Sequence, residues 1–335
     1  MQIKNQLRGT WSMASAILLL IYIIGFRTTL LAQNDTVSVF LLRDGVVVNE
    51  PRKEVYITTP QNFVQAVSVV TGESLWTSAR EAKPLAVVNG KLICQAFLTG
   101  RENDLVIIQL DLRRKGAGIT ENSTRLPDNV KASFRQQLNA SFTLFPKLVN
   151  GTVYLLWEYT YQPLRGLQTK DSIGKDDTAF IRRSGAFRVD GNTGRITAIS
   201  NNQLPAAALP RSILLDQKEV GSAKRRFVSA DGKHFMTSTK IAGDSLFNNY
   251  RWEVYERASG NKKGELMDYR SYAPFYVSNM IIVYGTGPYA IAEKNELRQV
   301  LLQLTAVDLG SGRKIWSKEI FDPVYRGPLP PGSDD

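Results

Sequence analysis

Apolar and polar residues alternate along this chain in short segments, with few stretches of helical period. VQAVSVV (64–70) and LLQLTAVDL (301–309) are rich in β-branched residues and end at a Thr-Gly or Ser-Gly pair. That pattern predicts strands ending in tight turns, because glycine takes positive φ at little cost. VVNGKLICQAFL (87–98), KLVNGTVYLLWEY (147–159) and SADGKHFMTST (229–239) place Asn-Gly or Asp-Gly between strand-like runs. These are strong hairpin signals. YVSNMIIVYGT (276–286) fills the same slot without the glycine. The segment 203–219 could hold a short helix, but Pro205 and Pro210 limit it.

The same frame recurs. AVSVVTGESLW (66–76) aligns without a gap on AVDLGSGRKIW (306–316), with Ala, Val, Gly and Trp coinciding. RVDGNTGRITA (188–198) fits through Asp190 and Gly194 but has Ala198 where Trp is expected. VYERASG (254–260) and the segment around Asp111 fit less closely, the latter with a turn one residue longer. The order of signals in each copy is strand, tight turn, strand, strand, Ser/Thr-Gly turn, Trp strand. Asp190 and Asp308 can accept hydrogen bonds from turn amides. The Trp buries a large apolar face and would lock one unit on the next. Such four-stranded antiparallel units bury both faces when packed radially, which predicts an all-β chain folded as a β-propeller. The turn glycines Gly72, Gly116, Gly194, Gly260 and Gly312 fit blades of about 40–45 residues with long loops. About five blades are expected, and up to seven if degenerate copies are counted; a stacked β-solenoid is the structural alternative. A polar insertion is expected at 161–178.

The start of the chain differs. Residues 9–26, GTWSMASAILLLIYIIGF, carry no charge, follow Lys4 and Arg8, and precede TTLLAQ. This reads as an apolar export helix, either a signal peptide ending at Ala32 or an uncleaved anchor. Either way the remainder is expected outside the cytoplasm. The expected organisation is therefore 1–32 signal peptide or anchor, 33–325 one propeller, and 326–335 a Pro-rich mobile tail.

Composition narrows the chemistry. The formal net charge is +11, and the chain has one Cys and one His. Cys94 has no partner for a disulfide, sits in an apolar run, and reads as a buried thiol. Cys94 and His234 do not make the usual zinc site, and any Ser-His-Asp or Cys-His mechanism would run through His234 alone. His234 follows Asp231-Gly232 and reads as a turn residue. The basic clusters Arg113-Arg114-Lys115, Arg182-Arg183, Lys224-Arg225-Arg226 and Lys262-Lys263 fall in or beside predicted turns. They read first as solvated turns, and second as attraction to an anionic surface. No nucleic-acid motif accompanies them. The sequons at Asn34, Asn122, Asn139 and Asn150 are as frequent as chance allows.

The repeat Ala-x-Asp-x-x-Thr-Gly-x-x-x-Trp in AVDLGSGRKIW and AVSVVTGESLW resembles the pyrroloquinoline-quinone-type propeller family over about residues 45–320. The resemblance implies blades docked through Trp and Gly. The family's dehydrogenase branch binds a quinone and calcium beside a cysteine pair, which the lone Cys94 does not supply. The resemblance therefore points to the non-enzymatic branch, with no cofactor, no metal and no catalytic residue expected. The expected role is an exported scaffold that binds protein or another envelope macromolecule. Membrane contact is expected only through the N-terminal segment. The alternative is an enzyme, either a carbohydrate-active propeller or a reduced quinoprotein. A glycosidase needs paired inner-strand carboxylates. Glu158 is the one carboxylate inside an apolar strand, whereas Asp111, Asp190 and Asp308 hold equivalent turn positions.

Overall fold

The computed structural model describes residues 39–97, 100–128, 130–132, 140–161, 181–205, 226–241, 249–287, 289–293 and 296–321. The apolar segment 9–26, most of the insertion at 161–178, most of the helical candidate at 203–219 and the tail 326–335 lie outside them. The described residues are all-β apart from two 3-10 turns, Glu50–Arg52 and Asn201–Gln203.

Every major sheet is an antiparallel meander. The first contains β1 (Val39–Arg43), β2 (Val46–Asn49), β3 (Glu54–Thr58), β4 (Phe63–Ser68) and the first half of β5 (Ser74–Val88). The second half of β5 starts the next sheet, which adds β6 (Lys91–Ala96), β7 (Asp104–Asp111) and β8 (Thr120–Arg125). The third holds β9 (Ala140–Val149), β10 (Thr152–Tyr161), β11 (Ile181–Val189) and β12 (Ile196–Ile199). The fourth holds β13 (Arg226–Val228), β14 (His234–Ile241), β15 (Asn249–Glu256) and β16 (Lys262–Asp268). The fifth begins with β17 (Phe275–Ser278) and β18 (Ile281–Thr286). A two-stranded ribbon, β19 (Tyr289–Glu293) and β20 (Glu296–Val300), intervenes before β21 (Gln303–Asp308) and β22 (Lys314–Glu319) complete it. The expected run of four antiparallel strands is thus present, but among the described residues the closing Trp strand is found only in the first and fifth sheets. The Asn-Gly turns have positive φ at both central residues, Asn89 and Gly90, and Asn150 and Gly151. That is the backbone of the twisted two-residue hairpin.

The first three sheets pack face on face in chain order, the fourth packs on the fifth, and the fifth returns to the first. Tyr56 and Ala66 of the first sheet meet Leu92, Ile108 and Leu110 of the second. Ile93 and Ile107 face Leu155, Trp157 and Phe187 of the third. Met236 and Trp252 of the fourth meet Phe275 and Ile282 of the fifth. Val55, Ile57 and Val67 of the first sheet meet Tyr276, Leu304 and Trp316 of the fifth. Both faces of β3 are therefore buried, which is why EVYIT lacks the alternation of a half-exposed strand.

Two tryptophans lock these contacts as the repeat predicts. Trp316 covers Gly72, where an added Cβ would lie 2.4 Å from Trp316 Cγ, and its indole N–H donates to the Val69 carbonyl at 2.9 Å. Trp76 covers Gly116 in the same way, with 2.6 Å to an added Cβ. Each Trp is paired across its hairpin with an alanine, Ala66 or Ala306, that leaves room for the ring.

The other copies solve the same problem differently. At the second–third contact no Trp covers the docking hairpin, although Trp157 lies in the core beneath it. Gln109 Nε2 donates to the Gly191 carbonyl at 3.1 Å, and Asn122 Nδ2 donates to the Thr193 carbonyl at 3.1 Å. Hydrogen bonds thus take over the docking of that hairpin. In the fourth sheet Gly264 stands in the Trp register, opposite Val254. Leu309 fills the space, with its carbonyl oxygen 2.0 Å from where a Cβ on Gly264 would lie. In the third sheet Ala198 pairs with Phe187, so the large ring has moved across the hairpin.

Replacing Trp316 by Ala removes an almost wholly buried ring. It is expected to cost about 3–5 kcal/mol, read as a lower urea midpoint. Gly72→Ala, with a positive φ and no space for a Cβ, should destabilise in the same direction. Wild-type midpoints for both variants would disprove the docking role of this pair.

Candidate functional site

In each described sheet, alternate hairpin turns lie at one end of the strands, and contacts between sheets bring these ends together on one face. In a meander the connections alternate between two ends, so the turns after β2 and β4 share an end, as do their counterparts elsewhere. Contacts between neighbours bring these ends together. Trp76, at the start of β5, meets Gly116 in the β7–β8 turn, and Val88, at its end, meets Gly191 in the β11–β12 turn. The chain therefore folds back within β5, at a corner where Ser78 Oγ accepts from the Val64 amide and donates to the Arg80 carbonyl. Lys83, almost wholly buried, ties this corner to Asp44 with an ion pair of 3.0 Å. Lys233, in the β13–β14 turn, reaches Glu50 after β2 at 2.9 Å.

Turn chemistry fixes this face. Asp190 Oδ1 accepts from the amides of Asn192 and Thr193 and from the Thr193 hydroxyl. Asp308 Oδ1 accepts from the Ser311 amide and hydroxyl. Asp111 accepts from the Arg113 amide at 2.9 Å. The bonds to Thr193 and Ser311 pull Asp190 and Asp308 below the usual carboxylate range. The three aspartates are thus structural and turn-capping, as their repeat positions imply.

The cations on this face are differently placed. Arg113, Arg114, Lys115, Arg195, Arg257 and Arg313 are exposed, and none makes an ion pair among the described residues. The nearby acids are already engaged: Glu50 with Lys233, Glu256 with Lys263 and Ser259, and Glu73 with the Thr71 hydroxyl. Lys91 donates to Gln109 and to the Asn192 carbonyl rather than to a carboxylate. Exposed apolar side chains lie on the same turns or within two residues of them: Val70, Leu75, Met280 and Ile315. Sequence scanning sees these basic residues as scattered clusters. Their convergence follows only from the meander topology.

The remaining sequence candidates do not assemble. Glu158, on β10, makes an ion pair with Arg182 across the β10–β11 ladder at 2.9 Å. Its neighbours in register are Ser184 and Thr143, so no second carboxylate faces it on those strands. Cys94 is wholly buried, and burial pushes its thiol well up. Asn122 is held by its bond to Thr193, and Asn150 lies in an exposed turn. Among the described residues no group of three or more His, Cys, Asp or Glu could hold a metal.

A cluster missed by sequence joins the fourth and fifth sheets. Arg270 donates to the carbonyls of Gly285, at 2.9 Å, and Gly287, and Tyr269 OH accepts from the Gly287 amide at 2.7 Å. Burial raises Asp268 beside Tyr284. These bonds end in backbone groups, and their role is to fasten β16 to β18.

His234 departs from the turn reading. Its ring is half-buried at the start of β14, and Nδ1 has no hydrogen-bond partner. Burial lowers its pKa; Lys263 and Lys233 act in the same direction, while Asp231 and Glu256 oppose. The folded state therefore binds this proton less readily than the unfolded state. The contribution is complete above the ordinary value of 6.5 and is lost as pH falls through the lowered one. Stability of the wild type should decline as pH drops below about 6.5, and His234→Gln should flatten that decline in pH-resolved urea titrations. An unchanged slope would contradict the burial account.

No family model and no curated protein sequence matches the chain. Solved structures align over most of it. TolB from Acinetobacter baumannii does so at 15% identity, over 79% of this chain and 51% of that one, with a TM-score of 0.23. The apo form of the AtxE2 isopeptidase does so at 10% identity, over 86% and 51%, with a TM-score of 0.37. The chain thus spans about half the length of these two proteins. At such scores neither alignment carries a conclusion about function.

Proposed function

We propose that this chain is an exported, non-catalytic five-bladed β-propeller that binds another macromolecule through its hairpin face. The observation that carries this reading is the face itself. Its turns are fixed by aspartate caps and by contacts between neighbouring sheets, so little ordering entropy remains to be lost on binding. Among the described residues, its cations Arg113, Arg114, Lys115, Arg195, Arg257 and Arg313 make no ion pair. The blade count rests on the packing of the fifth sheet against the first through Trp316. Export rests on the apolar segment 9–26. The quinone-type repeat is kept as a resemblance in frame, without its cofactor.

A photo-crosslinking amino acid placed in the full chain at Ser311, on the hairpin face, should capture a partner in intact cells. The same probe at Gln61, in the exposed turn at the opposite end of the first sheet, should capture far less. Capture confined to Gln61 would overturn the assignment of the face. Turnover of a glycan panel that is lost in Glu158→Gln would overturn the non-catalytic reading.

A further inference from the structure

Two features of the hairpin face fit one partner. Arg113, Arg114 and Lys115 stand beside the Asn89-Gly90 turn, with Arg113 Nε 3.9 Å from a Cβ built on Gly90, and the β11–β12 turn carrying Arg195 abuts that turn through Asn89 and Asn192. This makes one basic patch from two sheets. Around the first–fifth contact, where Trp316 covers Gly72, lie exposed Val70, Leu75 and Ile315. Exposed cations together with aliphatic side chains on one surface are the signature of proteins that rest on an anionic bilayer: the cations meet lipid phosphates and the apolar groups enter the headgroup boundary. A soluble polyanion would use the cations alone and leave the aliphatic side chains without a role.

We infer that the hairpin face docks on an anionic lipid bilayer, held there by the Arg113–Lys115, Arg195 and Arg313 cations and seated through Val70, Leu75 and Ile315. This rests on the proposed use of that face for binding, and names what it binds. The Asp caps are spent on turn amides and stay with the fold, so lipid phosphates need not displace an internal ion pair.

The test uses the full chain reconstituted in nanodiscs of phosphatidylcholine alone or mixed with phosphatidylglycerol. Both contain lipid brominated in the acyl chain. Cys94 is wholly buried, so a fluorophore can be placed selectively at Val70→Cys or Gln61→Cys. The Val70 probe is expected to be quenched at least about twofold more in anionic discs than in neutral ones, with the difference lost at high salt. Neutralising either cation, Arg113→Gln or Arg195→Gln, should weaken the docked state about fivefold. The Gln61 probe should stay unquenched. Equal quenching in both lipids, or quenching at Gln61 alone, overturns the inference; a native urea midpoint shows that a silent variant is folded. If the Val70 probe stays dark to lipid while the Ser311 crosslinker traps a protein, the binding face stands and its lipid assignment falls. If both fail, both fall.

Discussion

Closure of the domain depends on one contact, the indole of Trp316 laid over Gly72. A β-sheet in this arrangement has two apolar faces, and each needs a neighbour. One face of the first sheet is covered by the second, and one face of the fifth by the fourth. Their other faces meet each other, and the core on Val55, Ile57, Tyr276 and Leu304 exists because that meeting happens. Trp316 contributes its ring and its N–H to a carbonyl, so it fixes both distance and register. Contacts near the C-terminal strand extend the closure: Lys318 donates to Ser74, and the Phe321 amide to the Thr58 carbonyl. These contacts pair residues at opposite ends of the sequence, so their loop-closure entropy is among the largest in the chain.

The repeats show how one docking problem admits several chemistries. Trp over Gly buries a large apolar area. Gln109 and Asn122 reach the same kind of hairpin with amide hydrogen bonds, and Gly264 lets a partner's Leu309 press on bare backbone. The polar version is more directional and depends on full satisfaction of its groups. That network includes Asn89, Lys91 and Asn192, so it orders the loops from which the basic patch rises.

How far this was legible in sequence follows from that variety. AVSVVTGESLW and AVDLGSGRKIW carry the docking in residue identity, and their strands, turns and Trp–Gly contacts are found where expected. The Asn-Gly hairpins and the aspartate caps are equally local. Copies that changed chemistry look degenerate, since nothing in LDLRRKGAG announces that Gln109 and Asn122 replace a tryptophan. The ribbon β19–β20 has no counterpart in the repeat frame, and the fold-back inside β5 is visible only through register shifts between Phe63 and Gln65 and between Pro84 and Ala86. The Asp-Gly neighbours of His234 mark a turn, but burial depends on which sheet lies over it. The hairpin face is the strongest case. Arg113, Arg195 and Arg313 are far apart in the chain, and their common side comes from strand parity.

That parity explains why building the fold also builds the surface. Each four-stranded meander places two of its three turns at one end, and the tight reversals there require Gly, Asn, Asp and Ser. Asp satisfies the turn amides, so the acid of each motif is consumed locally. The residues that follow the turn glycine or cap are free of that duty. In this chain several of them, Arg113, Arg114, Lys115, Arg195 and Arg313, are basic. Packing the sheets side by side then adds these cations with one sign on one face, while their matching carboxylates point into the turns. A face so made is rigid, because its acids hold the loops and its backbone is pinned to the neighbouring sheet. Its potential acts in concert over a surface no single repeat could cover.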